Sequence, residues 1–523
     1  MVDLQFENDN GKVGYYCCSR KDGQYKPVFI LPKVFFRKYD MKDPKLQELP
    51  WWIYRALDKY EKDIPKTVNL EKQYVNVKSS RQDRFEPTII ERILSLKDFY
   101  DNNKDLFLFI YKQTHSGYNR INWTKTVRKH IPLIKDKRVM YLDVDNKKKT
   151  INYNEQLLVI FFNTLLYLKD EMGLPVVVDQ PYELYGKEEF KRMIVNGQVL
   201  GTLRRIKNNY FSDRLRMLWE LLFAYYKSDS ELRNGTRNEE YLLVKKFEHV
   251  FQAMVEYMIG DEGEWVSYFK NQDDGSQLDH IFLGHSVLGE TGGKKVCYIA
   301  DSKYYVINKK IREKLDDNTK STQKQFTYAR NFVRMAMEVK NGDKNGDKGK
   351  KCLAISKAYR DDVTDGYAIT PNFYIIPDGN CSSFDDDGFE LLDEFETLNK
   401  YQFKDRIFDR DTLFLQAYKV NLMYLLHIYA KNDIVARENF RKKVENTVIS
   451  GLKQHIQKEY VVYKGCFKDE TELKEFVKVH FSDLRGCMFS SENCLTVALA
   501  ESDDKLKELT DLMVSENFSE IYL

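Results

Sequence analysis

One apolar run that ends in two opposite charges constrains this chain more than any other feature. Residues 297–305 read CYIADSKYY. Cys297 to Ala300 have the composition of a buried strand, yet Asp301 and Lys303 follow at once. Side chains on a strand alternate with a period of two, so Asp301 and Lys303 project from one face. Upstream, SQLDHIFLG (276–284) places Asp279 at the start of another short apolar run. The turn between them contains GETGGK, and the pattern predicts an antiparallel hairpin. A hairpin brings the start of its first strand beside the end of its second, which makes Asp279 and Asp301 neighbours. The segment before it, EEYLLVKKFEHVFQAMVEYMIGDE (239–262), reads as a helix and carries Glu248.

Two carboxylates held together repel, and a pKa rises unless a cation lies between them. An oxygen-rich site with open positions suits Mg²⁺ gripping a phosphate, with Mn²⁺ as a substitute. The chemistry this predicts is metal-assisted phosphodiester hydrolysis. Asp279 and Asp301 hold the ion, with a backbone carbonyl of Ala300 or Ser302 as a further option. Lys303 orients the attacking water and stabilises the developing negative charge. Glu248 is an additional metal ligand or positions the water. Taken singly, the residues read otherwise: an Asp-x-Lys triplet is commonly a surface ion pair, and an aspartate before a strand is commonly a turn residue. The order helix acid, Asp, Asp-x-Lys is what favours a site.

The 523 residues allow two to four domains, and 42% hydrophobic with 31% charged residues is ordinary for a folded protein. A net charge of +3 leaves nucleic-acid contact to local patches. The eight cysteines show no paired CxxC spacing. All eight, Cys466 and Cys494 included, are expected to be reduced thiols in a cytoplasmic protein. The start MVDLQFENDN lacks the apolar core of a signal peptide. LLVIFFNTLLYL (157–168) is too short to span a bilayer, so no membrane association is expected. DKNGD, in the low-complexity tract 341–351, begins like a calcium loop, but no Glu follows at the required position.

The organisation predicted is α/β, α+β taken overall. Residues 1–100 form an N-terminal α+β domain suited to DNA recognition or partner binding. Residues 101–235 form a basic, largely helical region. It opens on a strand, DLFLFIYK (105–112), and includes helices over 154–173 and 190–227. Gly173 closes the first of these as a helix C′ residue. Residues 236–435 form the core and 436–523 a small accessory region. Within the core, FYIIPDG (373–379) reads as a strand, and NTKSTQKQFTYARNFVRMAME (318–338) and KVNLMYLLHIYAK (419–431) as helices.

Helix–LDHIF–hairpin–YIADSKYY resembles the core of the PD-(D/E)XK nucleases. GYNRINWTKTV (117–127), QKQFTYA (323–329), YIIPDG and VNLMYLLHIYA narrow the likeness to LlaJI-type restriction endonucleases, relatives of the nuclease subunit of McrBC-type systems. The likeness covers roughly 105–432. It implies a restriction-endonuclease-like core with a central mixed sheet flanked by helices. It also implies Asp279, Asp301 and Lys303 as the catalytic set, Glu248 as the helix acid, and Gln325 and Tyr328 on a supporting helix. Leu278 stands where the motif's name has proline, and the hydrophilic DDNTKSTQ replaces the usual loop before Lys324-Gln325.

Two basic segments suit a nucleic-acid backbone. One carries Arg120, Lys125, Arg128 and Lys129 around Trp123, itself expected in the core. The other carries Arg204, Arg205 and Arg214. Solvated helix faces explain both segments equally well. The chain has no GxxxxGK[ST] phosphate loop, and the likeness implies a separate AAA+ GTPase or ATPase motor. The leading expectation is a Mg²⁺-dependent DNA endonuclease of a restriction or phage-defence system, possible as a homo-oligomer. A non-catalytic DNA- or motor-binding scaffold and an RNA or single-strand nuclease stand as alternatives.

Overall fold

The computed structural model describes residues 3–6, 11–19, 25–35, 44–63, 74–75, 87–105, 111–114, 120–146, 148–151, 155–234, 239–272, 274–288, 295–308, 310–316, 319–341, 359–380, 383–393, 395–400 and 402–522. The tract 342–350, Cys352 and the GETGGK turn (289–294) lie outside them. The chain divides into two compact units: residues 1–5, 14–30 and 74–243, and residues 6–13, 31–73 and 244–523.

In the first unit, residues 14–19 and 25–30 of strands Lys12–Ser19 and Tyr25–Leu31 pair antiparallel, with Gly14 opposite Ile30. The buried Glu240 carboxylate ties this hairpin to a helix, accepting from the Tyr15 hydroxyl (2.8 Å) and the Ile89 amide (2.9 Å). Helix Ile89–Asn102 begins with a capping box in which Thr88 and Glu91 each satisfy the other's backbone N–H. Helix Gln156–Met172 is apolar almost all round and is accordingly buried. It stops at Gly173, whose φ of 68° is the left-handed closure expected there. The helical block after it is three helices, Lys187–Val195, Gln198–Ile206 and Asp213–Arg233. Gly197, at φ 69°, makes the first break.

Residues 120–146 correct an expectation. Trp123 is 57% exposed rather than in the core. It opens a short helix, Trp123–Lys129, followed by a hairpin of Leu133–Lys135 and Arg138–Met140. Asp136 and Lys137 both take positive φ, as a two-residue hairpin turn requires. Ile131, Ile134 and Leu142 are 93%, 71% and 80% exposed.

The second unit holds the core. Its elements, in chain order, are helix α1 (Glu248–Ile259), helix α2 (Glu264–Lys270), strands β1 (His280–Gly284) and β2 (Val296–Ser302), and helix α3 (Lys320–Asn341). Strands β3 (Asn372–Asp378), β4 (Glu390–Leu391), β5 (Leu398–Lys400) and β6 (Leu413–Asn421) follow, then helices α4 (Leu422–Lys431) and α5 (Ile434–Glu459). The helix expected over 239–262 forms only from Glu248. Glu239–Lys245 is a strand, as its Tyr-Leu-Leu-Val content favours, and Lys246 at φ 61° breaks the chain between the two.

The six strands make one mixed sheet in the order β1-β2-β3-β6-β4, with β5 also on β6. β1 and β2 are antiparallel with His280 opposite Ala300, and β2–β3 and β3–β6 are parallel. Parallel strands are buried on both faces, and Asn372–Asp378 is buried at every residue. α1 packs on β1 and β2, α2 on β1, and α3 on β6. The α/β class, with a mixed sheet flanked by helices, is therefore as expected.

β6 runs on to Asn421, so the last predicted helix starts three residues later than its pattern suggested. Asn421 is the reason. Fully buried, it accepts from the Met423 amide (2.9 Å) as N-cap and donates to the carbonyls of Ser383 (2.7 Å) and Asp386 (2.6 Å).

The C-terminal residues form a four-stranded antiparallel sheet, with Cys494–Ala500 between Met488–Ser491 and Tyr460–Cys466. Helices Glu470–Leu484 and Leu506–Ser515 complete a local core around Leu473, Leu484, Met488, Leu495, Val497 and Met513. Here the uniform reduced-thiol expectation fails. Cys466 and Cys494 sit opposite each other across two strands and form a disulfide. Cys17, Cys297 and Cys487 are free and buried.

Asn421→Ala removes a cap and takes the side-chain donor away from the Ser383 and Asp386 carbonyls. It is expected to cost about 2–3 kcal/mol in denaturant unfolding. A loss within the ~0.5 kcal/mol typical of surface changes would contradict this role.

Candidate active site

The hairpin β1–β2 delivers the two aspartates to one place. Asp279 immediately precedes β1, and Asp301 is the penultimate residue of β2. The Asp279 carboxylate is held at both oxygens: Oδ1 accepts from Gln252 Nε2 (2.9 Å) and Oδ2 from the Ser302 amide (3.1 Å). Asp301 is 6% exposed and forms an ion pair with Lys303. Burial and the neighbouring Asp279 push the Asp301 carboxyl up to about 7, against the pull of Lys303.

Lys303 extends the β2–β3 ladder by donating its amide to the Ile375 carbonyl (2.9 Å). Its ammonium lies 5.4 Å from the centre of the Tyr374 ring. Burial alone would lower the Lys303 pKa, but the Asp301 carboxylate outweighs it and the net shift is upward. Lys303 is therefore a cation here.

Glu248 opens α1 with an exposed side chain. Gln252, four residues on and on the same helix face, is the α1 residue that touches Asp279. Glu256, a further turn along, meets His280 Nδ1 (2.7 Å) and Lys270 Nζ (2.6 Å). His280 is fully buried, which pushes its pKa down, and its Nε2 meets Ser302 Oγ at 2.7 Å.

On α3, Gln325 is buried and donates to Asn372 Oδ1 (2.7 Å) at the start of β3. The Tyr328 carbonyl accepts from Gln272 Nε2 (2.9 Å), and Lys324 lies 5.2 Å from the Tyr328 ring centre. The structure thus brings Asp279, Asp301 and Lys303 together, with Gln325 and Tyr328 on the packed helix beyond. The basic candidates lie in the first unit. Arg120, Arg128, Lys129, Arg204, Arg205 and Arg214 are exposed and Lys125 is half-buried. Arg214 pairs with Asp105 (3.0 Å) and Arg205 bonds Thr202 (3.1 Å).

Sequence reasoning missed Gln252, Glu256, His280 and Tyr374, and read Ser302 only as a backbone-carbonyl ligand, not as the donor to Asp279. The 248-252-256 spacing was a readable sign for the first two, since it lines one helix face. Tyr374 was not readable, because only the parallel register sets it opposite Asp301.

A family model described as LlaJI restriction endonuclease matches residues 23–393. The chain belongs to the LlaJI restriction endonuclease family. The match spans Asp279, Asp301, Lys303, Gln325 and Tyr328, and starts and ends earlier than the likeness read from motifs. No curated protein and no solved structure matches the chain. Among the described residues of this LlaJI-family protein, no helix is long and apolar enough to cross a membrane. Among the same residues, no group of three or more His, Cys, Asp and Glu side chains forms a metal cage.

The Asp301 carboxyl carries a folded-state pKa above the ordinary value near 4. As pH rises from about 4 to about 7 the unfolded chain has already lost this proton and the folded one has not. Deprotonating the folded state then costs stability, so this contribution declines with pH over that window and is flat above it. In EDTA, Asp301→Asn is expected to gain melting temperature relative to the parent between pH 4.5 and 7 (an order-of-magnitude window from that linkage). Parallel melting curves across it would refute the assignment.

Proposed function

We propose that this LlaJI-family chain is a Mg²⁺-dependent DNA endonuclease with a PD-(D/E)XK core. In this reading it is the nuclease subunit of a restriction or phage-defence system and works with a separate AAA+ NTPase motor. The observation that carries the proposal is the meeting of Asp279, Asp301 and Lys303 at one end of a β1–β2 hairpin, inside the segment matched to a restriction endonuclease family.

The residues present fit a hard divalent cation. The donor set is carboxylate oxygen, with one carboxyl buried and pushed upward by the other. Mg²⁺ is usually bound through one or two carboxylates plus substrate phosphates, without an all-protein cage. Two aspartates therefore suffice where a larger cluster is not found. Asp279 and Asp301 would hold the ion, and Glu248, on the Gln252 face of α1, is the further candidate. When bound, the ion polarises the phosphoryl oxygen and lowers the pKa of water.

The remaining work falls to this chain's own groups. Gln252 and the Ser302 amide aim the Asp279 carboxylate. Lys303, whose pKa the Asp301 carboxylate holds up in the ion-free chain, would stabilise negative charge growing on the phosphate and orient water. Gln325 fixes α3 against the start of β3.

Arg120, Lys125, Arg128, Lys129, Arg204, Arg205 and Arg214 are the proposed backbone contacts. Among the described residues Arg128 and Lys129 have no acidic partner, which makes them the better candidates. The exposed apolar residues of 123–142 support a protein partner, because soluble proteins seldom present large apolar patches to water. The hairpin 133–140 is a suitable docking element for the motor.

Plasmid DNA incubated with the chain and Mg²⁺, with and without the motor and its nucleotide, tests the proposal. Cleavage is expected to vanish in EDTA. Asp301→Ala and Lys303→Ala are expected to lower it by about 100-fold or more, the scale of removing one electrostatic stabiliser. Cleavage that survives both substitutions would sink the site. RNA and single-stranded DNA assayed beside the plasmid identify the polymer.

A further inference from the structure

We propose that Ser302 and His280 are positioning residues that set the affinity of the Asp279/Asp301 pair for its divalent cation. The proposal rests on the metal-nuclease reading above and adds to it two residues outside the Asp/Asp-x-Lys set.

Ser302 stands between Asp301 and Lys303, and alternation turns its side chain away from theirs. Its two polar groups have separate tasks. The amide donates to Asp279 Oδ2 (3.1 Å), and the Oγ meets His280 Nε2 (2.7 Å). His280 is fully buried, and its Nδ1 meets Glu256 Oε2 at 2.7 Å. The other Glu256 oxygen accepts from Lys270 Nζ at 2.6 Å. A continuous chain thus runs Lys270–Glu256–His280–Ser302–Asp279, from α1 and α2 to a metal-ligand carboxylate.

The chemistry assigns the protons. Glu256, paired with Lys270, is an acceptor, so His280 donates from Nδ1. Its Nε2 then accepts the Ser302 hydroxyl proton. Both imidazole nitrogens are used, and the serine is held in one rotamer. Its amide is thereby fixed relative to Asp279 before any ion arrives. Partners of metal ligands act in this manner elsewhere, and losing one typically costs 10–100-fold in metal affinity or activity (an order-of-magnitude range, roughly stated).

A serine, histidine and glutamate in this order are also the parts of a hydrolase nucleophile. That reading fails on electrostatics. Asp279 and Asp301 flank the Ser302 backbone, and two carboxylates would repel the oxyanion that such a nucleophile must create.

The test is a Mn²⁺ titration of the full chain without DNA, followed by the EPR signal of free Mn²⁺, with melting curves as a folding check. Ser302→Ala is expected to weaken binding about ten-fold or more, while Ser302→Thr, which keeps the hydroxyl, stays within about three-fold of the parent. His280→Phe is expected to match Ser302→Ala, and the double variant to be no weaker than either, because both remove one shared bond. Should His280→Phe not fold, the Ser302 pair carries the test. Asp301→Asn marks the site. Parent binding that Asp301→Asn leaves intact overturns the metal reading itself. Binding that depends on Asp301 but is unchanged in Ser302→Ala, or lost equally in Ser302→Thr, overturns only the positioning role.

Discussion

A carboxylate buried next to a second carboxylate is the constraint around which the core is built. Taking an ion out of water costs several kcal/mol even after relaxation (an order-of-magnitude figure), and Asp279 adds repulsion to the cost for Asp301. Lys303 offsets part of this through a direct ion pair, and the upward shift of the Asp301 carboxyl shows that the offset is incomplete. Such an arrangement persists only where the surrounding structure over-determines it. Here the determinant is β2, paired antiparallel on one side and parallel on the other, which leaves its end no freedom to splay the two charges apart.

The surrounding helices work to the same end. α1 reaches the hairpin twice, through Gln252 to Asp279 and through Glu256 to His280. α3 is held to the start of β3 by the Gln325–Asn372 bond, with both residues buried. Tyr374 links the two sides, since it lies opposite Asp301 in the β2–β3 register and carries Lys303 over its ring. Each contact is modest alone. Their joint effect is that the Asp279, Asp301 and Lys303 side chains have few rotamers left to lose when a substrate arrives.

Local pattern carried the hairpin, the strand over 373–379 and the Gly173 closure, because each depends on neighbours in sequence. The alternation in CYIADSK is enough to put Asp301 and Lys303 on one face. What local pattern could not carry was anything set by distant register. Cys466 and Cys494 are 28 residues apart, and only the pairing of their strands places them face to face. Trp123 was misplaced for a different reason. Tryptophan is most often buried, and the sequence around it is as basic as it is apolar, so composition argued for the core while the fold put a short helix and hairpin in water. The segment 239–262 failed at its start, where apolar residues without a clear period suit a strand as well as a helix.

Two carboxylates supply too few oxygens for an octahedral cation, and on the nuclease reading this shortage is functional. The coordination of Mg²⁺ is completed by water and by phosphate oxygens, so the ion is held more tightly when a phosphodiester is present. By linkage the phosphodiester is then held more tightly when the ion is present. A fourfold protein cage would uncouple the two and leave a loaded site in the absence of substrate. Lys303 fits the same logic: without an ion it pairs with Asp301, and that carboxylate holds its pKa up. The site therefore rests as an Asp301–Lys303 pair beside Asp279, and it holds an ion more weakly until nucleic acid supplies the remaining oxygens. On the nuclease reading, delivery of nucleic acid is then the natural point of control.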